Sequence, residues 1–127
     1  MILVVGGIAS GKRTYARSLG YADKEFSGAL DDTCPVLVDA QELVREAANN
    51  GQDIDFDALA DAVAARKQVV LCLEIGSGIV PMDRGERAWR EYAGSFQKGL
   101  AKRATAVVRM VCGIPTPLKG ELPSKGE

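Results

Sequence analysis

Residues 1–14 read MILVVGGIASGKRT, and this stretch decides the fold. The apolar run at residues 2–5 is typical of a buried strand, and it stops at a pair of glycines. Gly11 and Lys12 then complete the pattern G-x-x-x-x-G-K, in which backbone N–H groups cradle phosphates and the lysine adds positive charge. Residues 12–19 suit a helix that ends at Gly20. The predicted nucleotide-binding residues are Gly6, Gly7, Ile8, Ala9, Ser10, Gly11, Lys12, Arg13 and Thr14.

One position of this loop departs from the P-loop pattern. A Ser or Thr normally follows the lysine, and its hydroxyl holds Mg²⁺. This chain has Arg13 at that position, and Thr14 comes one residue late. Because one helical step turns a side chain by roughly 100°, Thr14 does not simply replace the missing hydroxyl. The sequence leaves open whether Arg13 lies near the metal position or points to solvent, and with it whether Mg²⁺ binds.

Composition excludes several function classes. The 127 residues suffice for one domain with one core, and the net charge of −1 argues against a general nucleic-acid binder. The first apolar stretch is too short for a signal peptide or a membrane span. The chain contains no histidine, so no mechanism can use its own imidazole. Cys34, Cys72 and Cys112 lack metal-binding spacing and are interpreted as buried, reduced thiols of a cytoplasmic protein.

The remaining chain alternates between strand and helix patterns. Further strands are predicted at residues 35–38, 69–73 and 105–112, and further helices at 41–48, from 56 onwards and at 84–103, with a polar connector at 21–33. Such alternation indicates right-handed βαβ units. We therefore predict an α/β fold, a P-loop NTPase-like three-layer sandwich with a mostly parallel central sheet. Residues 1–118 form the single predicted domain, and 119–127 form a predicted disordered tail.

Charged residues at strand ends and on the longest helix are further site candidates. Asp39 follows the second strand, where it serves either as a metal or water ligand or as the N-cap of the next helix. Glu74 ends the third strand beside a glycine-rich loop, at the sheet edge where parallel sheets bind ligands. Arg84, Arg87 and Arg90 recur every three residues, and this spacing fits both phosphate binding and a solvated helix face.

The second half of the chain resembles a known family. The resemblance lies in the run EIGSGIVP at residues 74–81, in Arg84 and Arg87, in the run WREYAG at 89–94, and in Gln97 and residues 100–101. It is similar to the E-x-G-x-G-I-V-P segment, and the arginine-rich helix after it, of bifunctional adenosylcobinamide kinase / adenosylcobinamide-phosphate guanylyltransferases. Residues 6–12, 36–39, 113–115 and 118–119 match further pieces in family order.

The resemblance implies a P-loop α/β domain, usually assembled as a homo-oligomer, that uses ATP or GTP. Family enzymes phosphorylate adenosylcobinamide and then join the product to GMP. By position, the loop from Gly6 to Lys12 cradles the nucleotide phosphates, while Asp39 and Glu74 lie near a metal or the substrate hydroxyl. With Lys12 these two acids are the predicted catalytic residues, and Asp39 is the predicted metal ligand. Arg84, Arg87 and Arg90 belong to the substrate and phosphate part of the site.

Two departures narrow what the resemblance implies. Family enzymes form a guanylylated histidine on a helix between the first two strands, but residues 21–33 contain no histidine and are too few for the usual strand and helix. Arg13 replaces the Mg²⁺ serine. We therefore expect a nucleotide-binding, kinase-type protein without guanylyl transfer, taking GTP or ATP and a cobinamide-like molecule, with nucleic acid and membrane excluded. The alternative is a catalytically inactive nucleotide- or anion-binding partner module. A nucleoside kinase fits less well, because no arginine-rich lid follows the loop.

Overall fold

The computed structural model describes residues 1–49, 55–74 and 84–123, apart from the side chains of residues 48–49 and 84–88. Its helices and strands alternate along most of this length. The strands are β1 (Ile2–Gly6), β2 (Phe26–Ser27), β3 (Val36–Leu37), β4 (Val69–Leu73), β5 (Ala106–Val111) and β6 (Ile114–Lys119). The helices are α1 (Lys12–Ser18), α2 (Gln41–Asn49), α3 (Phe56–Arg66) and α4 (Arg84–Arg103), and a 3₁₀ turn covers Asp23–Glu25.

The strands form one six-stranded sheet in the order β2-β3-β4-β1-β5-β6. All neighbouring strands run parallel except β5 and β6, which form an antiparallel hairpin. β1 is central, because Val4 pairs with Leu71 of β4 and with Val108 of β5. The carboxyl ends of β1, β3 and β4 therefore meet at one edge of the sheet, and the chain after each of them lies there.

Helices cover both faces of the sheet, which confirms the predicted α/β architecture. In β1, Leu3 and Val5 belong to the core under α2, α3 and α4, whereas Val4 belongs to the smaller core under α1. Phe96 and Leu100 of α4 are fully buried in the larger core. Alternation along β1 thus divides the apolar side chains between two cores, as expected for a strand that is buried on both faces.

Several predicted elements have the bounds that the sequence indicates. β4 and α4 coincide with the predicted segments 69–73 and 84–103, and β1 extends its predicted run by Gly6. Helix α3 begins after Asp55, whose carboxylate accepts a hydrogen bond from the N–H of Ala58 at 3.0 Å. That contact satisfies one of the donors that a helix start leaves free.

Two strands were missed. The 21–33 connector contains β2, only two residues long, which pairs with β3 and has no period that a pattern search could find. β6 has no strand pattern in the sequence, because Pro115 and Pro117 interrupt it. Proline is tolerated there because β6 is an edge strand in this sheet. The predicted tail therefore starts inside a strand at Lys119, and residues 124–127 lie outside the described part.

The cysteine prediction was only partly right. Cys72 is buried in the larger core and Cys34 is partly buried, but Cys112 is exposed, because it lies in the two-residue turn between β5 and β6. All three are free thiols. In the part of the chain that the structure covers, no helix has the length and apolar character needed to cross a membrane.

Candidate functional site

The loop between β1 and α1 (the β1–α1 loop, residues 7–11) is held by close backbone contacts. Gly11 precedes α1 with a φ of 98°, a conformation that side chains strongly disfavour. A Cβ on Gly11 would lie 3.1 Å from the Cα of Gly113, in the β5–β6 turn. The N–H of Gly113 donates to the carbonyl of Ser10 at 2.9 Å. The β5–β6 turn therefore positions the loop, a role that only the folded chain reveals.

The Lys12 ammonium contacts the backbone at the start of this loop. Its Nζ donates to the carbonyls of Gly6 at 3.1 Å and Gly7 at 2.7 Å, and the Gly6 carbonyl also accepts the N–H of Glu74 at 2.9 Å. Burial lowers the pKa of Lys12, and the negative charge of Asp39 opposes that shift. The ammonium therefore lies against the backbone of the loop, close enough to Asp39 for the two charges to interact.

A pocket of about 670 Å³ opens beside the loop, within the size range of small-molecule sites. Loop, α1, α2 and the ends of β3 and β4 all contribute to its wall. Its lining carries four cationic side chains and two acidic ones. The lining residues are Ile8, Ala9, Ser10, Gly11, Lys12, Arg13, Thr14, Arg17, Val38, Asp39, Gln41, Glu42, Arg45, Leu71 and Leu73.

The three arginines of the pocket differ in how they are engaged. Arg17 forms an ion pair with Asp23 at 2.6 Å, and the guanidinium of Arg45 lies 4.0 Å from the ring centroid of Trp89. Arg13 is exposed and makes no hydrogen bond, ion pair or ring contact with any residue of the described ranges. Arg13 is therefore the pocket arginine whose guanidinium is available to a ligand.

Asp39 lies at the junction of β3 and α2, in a left-handed conformation with a φ of 50°. Its backbone carbonyl accepts from the N–H of Glu42 at 2.9 Å. Within the described ranges its carboxylate forms no hydrogen bond to the first turn of α2, so the N-cap alternative has no such contact to support it. The start of α2 is instead tied to β4, because Gln41 Oε1 accepts from the N–H of Leu73 at 3.0 Å. Asp39 therefore presents its carboxylate to the pocket.

Glu74 lies at the predicted sheet edge but has a different environment. It forms a two-pronged ion pair with Arg109 of β5, with Nε–Oε1 at 2.6 Å and Nη2–Oε2 at 3.2 Å, and it is not among the pocket-lining residues. Arg90 is partly exposed on α4 and also does not line the pocket, while the side chains of Arg84 and Arg87 lie outside the described part. The structure thus brings Asp39 and the loop together, and it holds Glu74 against Arg109.

Sequence reasoning missed Arg17, Gln41, Glu42 and Arg45 of the pocket lining. A signal was present, since Arg13 and Arg17 are four residues apart on α1 and therefore share a helix face. Gln41 and Arg45 have the same spacing on α2. The spacing shows that these pairs share a face, but not that both faces turn towards one pocket.

Comparisons with known proteins agree with the family resemblance seen in the sequence. The model of the family described as cobinamide kinase / cobinamide phosphate guanyltransferase matches residues 21–118. The chain is also 36% identical, over 53 residues, to the bifunctional adenosylcobalamin biosynthesis protein CobP of Pseudomonas aeruginosa. The aligned segment covers 42% of this chain and 31% of that protein. The matched part thus spans under a third of that relative's length. The family match begins after the β1–α1 loop and does not include it.

Proposed function

Because the chain belongs to the cobinamide kinase / cobinamide phosphate guanyltransferase family, we propose that its pocket binds the phosphate groups of GTP or ATP. The observation that carries the proposal is that residues 8–14, including Lys12, all line the pocket. A glycine-rich loop after a strand, with backbone donors and a lysine, is a recurrent phosphate site. On binding, Lys12 exchanges the carbonyls of Gly6 and Gly7 for phosphate oxygens.

The proposed reaction is transfer of the terminal phosphoryl group to an alcohol of a cobinamide-like molecule. Such transfer depends on positioning and on stabilising charge at the phosphoryl oxygens, more than on covalent chemistry by the protein. Lys12 stabilises that charge, and the carboxylate of Asp39, at the end of β3, orients the acceptor hydroxyl. Glu74 is less suited to that task, because both of its oxygens already contact Arg109.

Guanylyl transfer through a histidine is not part of the proposal, because this chain has no histidine. Arg13 favours a second candidate, a module that binds the nucleotide or another phosphate anion without catalysing transfer. In both candidates the binding chemistry is the same, and they differ in whether the phosphoryl group leaves.

Incubation with labelled ATP or GTP and adenosylcobinamide tests the proposal. Lys12→Ala should weaken nucleotide binding by about tenfold to a hundredfold, the value of one charge-assisted hydrogen-bonding group. Lys98→Ala is the matched control, because Lys98 is an exposed lysine on α4. Binding without transfer supports the second candidate. If neither nucleotide binds, or if Lys12→Ala behaves like Lys98→Ala, both candidates are wrong.

A further inference from the structure

We propose that the pocket binds nucleotide phosphates without a divalent cation, and that the Arg13 guanidinium takes over the charge neutralisation that Mg²⁺ supplies in other P-loops. This inference rests on the proposed phosphate site. It concerns which ligand the site takes, namely the free nucleotide rather than its magnesium complex.

The hydroxyl groups near the loop do not fit Mg²⁺. The cation requires near-octahedral oxygen ligands, and a P-loop supplies one from the hydroxyl that follows the lysine. Arg13 has only N–H donors there and no oxygen. The Ser10 hydroxyl is shielded from solvent and lies against Gly6, without a hydrogen-bond partner in the described part of the chain. Thr14 is exposed one helical step further round α1.

The acidic groups do not compensate for the missing hydroxyl. Among the described residues, no three His, Cys, Asp or Glu side chains are grouped closely enough to hold a metal ion. Each acid of the pocket lies within the electrostatic reach of a cation. Glu42 lies 3.4 Å from the Nε of Arg45, and the charge of Asp39 acts on Lys12. The residues present therefore do not fit Mg²⁺.

The charges of the pocket fit a metal-free anion instead. Asp23, outside the lining, neutralises Arg17, so the four cations of the pocket face three acids and an excess of one positive charge remains. Arg13 follows Lys12 directly, at the start of α1, and has no partner among the described residues. A guanidinium stays charged at every relevant pH and binds phosphate oxygens through two parallel N–H groups. Lys12 and Arg13 together thus present two adjacent cations to one phosphate chain.

Calorimetric titration of GTP and ATP in excess EDTA and in excess Mg²⁺ tests the inference. The wild-type protein should bind equally well in both buffers, within about twofold. Arg13→Ser restores the hydroxyl of the usual motif, so it should bind about tenfold or more weakly in EDTA and recover affinity when Mg²⁺ is added. Arg13→Lys keeps the positive charge but cannot donate two parallel N–H groups. It should therefore lose less affinity in EDTA than Arg13→Ser. Lys98→Ala, with its exposed lysine on α4, should match the wild type.

The outcomes separate this inference from the proposed function. If the wild type binds nucleotide only in Mg²⁺, the metal-free inference is overturned while the phosphate site stands. The same holds if Arg13→Ser binds in EDTA as tightly as the wild type, because Arg13 then contributes nothing. If no nucleotide binds in either buffer, the proposed function fails and this inference fails with it. Thermal unfolding of each variant checks that a loss of binding is not a loss of folding.

Discussion

Replacing Gly6 with alanine tests how tightly the β1–α1 loop is held against the sheet. Gly6 is the last residue of β1 and is buried. A Cβ at this position would lie 2.8 Å from the backbone carbonyl oxygen of Met110 in β5, and closer still to the hydroxyl of Ser10. A backbone oxygen cannot rotate away as a side chain can, so either β5 or the loop must shift. Gly7, the next residue, has no atom within 4 Å of its added Cβ.

The expected cost follows from these contacts. Forcing one extra methyl group into a packed site costs about 1–3 kcal/mol, and two close contacts place Gly6→Ala at the upper end. The lower entropy of the unfolded chain returns about 0.4–1 kcal/mol for a glycine-to-alanine change. We therefore expect Gly6→Ala to lower the free energy of unfolding by about 2 kcal/mol, or the melting temperature by about 8 °C. Gly7→Ala should be neutral or slightly stabilising.

Urea denaturation of the two variants provides the measurement, and Ser10→Ala supplies an internal check. Removing the Ser10 hydroxyl takes away one of the two contacts, so Gly6→Ala with Ser10→Ala should regain part of the lost stability. Ser10→Ala alone should cost little, because its buried hydroxyl has no partner among the described residues. Equal stability of Gly6→Ala and Gly7→Ala would refute the reasoning, since the contact with Met110 would then carry no cost.

Two further predictions concern buried groups of the core. Burial raises the pKa of the Cys72 thiol from 9.0 to about 11, so the folded state keeps the proton that the unfolded state loses. The resulting stability is present below pH 9 and falls by up to about 3 kcal/mol as the pH rises to 11. Urea denaturation across this range should show that Cys72→Ala loses less stability at high pH than the wild type. Equal losses in the two proteins would contradict the prediction. Lys67 has a fully buried side chain whose Nζ donates to the carbonyl of Cys34 at 2.7 Å. Lys67→Met leaves that carbonyl unpaired and also removes the ion pair with Asp31 at 3.5 Å, so it should cost about 1–3 kcal/mol in thermal or urea unfolding. Lys98→Met is the exposed control, and a loss below about 0.5 kcal/mol for Lys67→Met would contradict the prediction.

Local patterns predicted the fold wherever the pattern is long and the burial is complete. The apolar run of β4 is buried from Val69 to Cys72, and so its bounds are visible in the sequence alone. The helical period of α4 likewise buries Trp89, Ala93, Phe96 and Leu100. Tyr92 has the same helical spacing but is 38% exposed, and its ring centroid lies 5.5 Å from that of Phe56, the first residue of α3. A period indicates which face of a helix turns inwards, but not where the neighbouring helix ends.

The positions of the candidate site residues in the fold were predictable in part for the same reason. The β1–α1 loop and Asp39 belong to contiguous motifs, each with its own residue chemistry. The ion pair between Glu74 and Arg109 joins residues that are 35 positions apart in the sequence. They meet only because β4 and β5 both flank β1. Sequence reasoning therefore assigned Glu74 to the ligand-binding edge without knowing that β5 supplies it with a partner.

The sequence by itself determined the strand–loop–helix unit at residues 1–19 and the presence of Arg13 where the P-loop pattern has Ser or Thr, since both are properties of adjacent residues. Only the tertiary structure decided which arginines of the pocket are engaged. Asp23 and Trp89, which hold Arg17 and Arg45, are brought to them by the packing of separate elements. Such contacts depend on distances through space, which no pattern along the chain encodes, and within the described ranges they leave Arg13 as the pocket arginine without a partner.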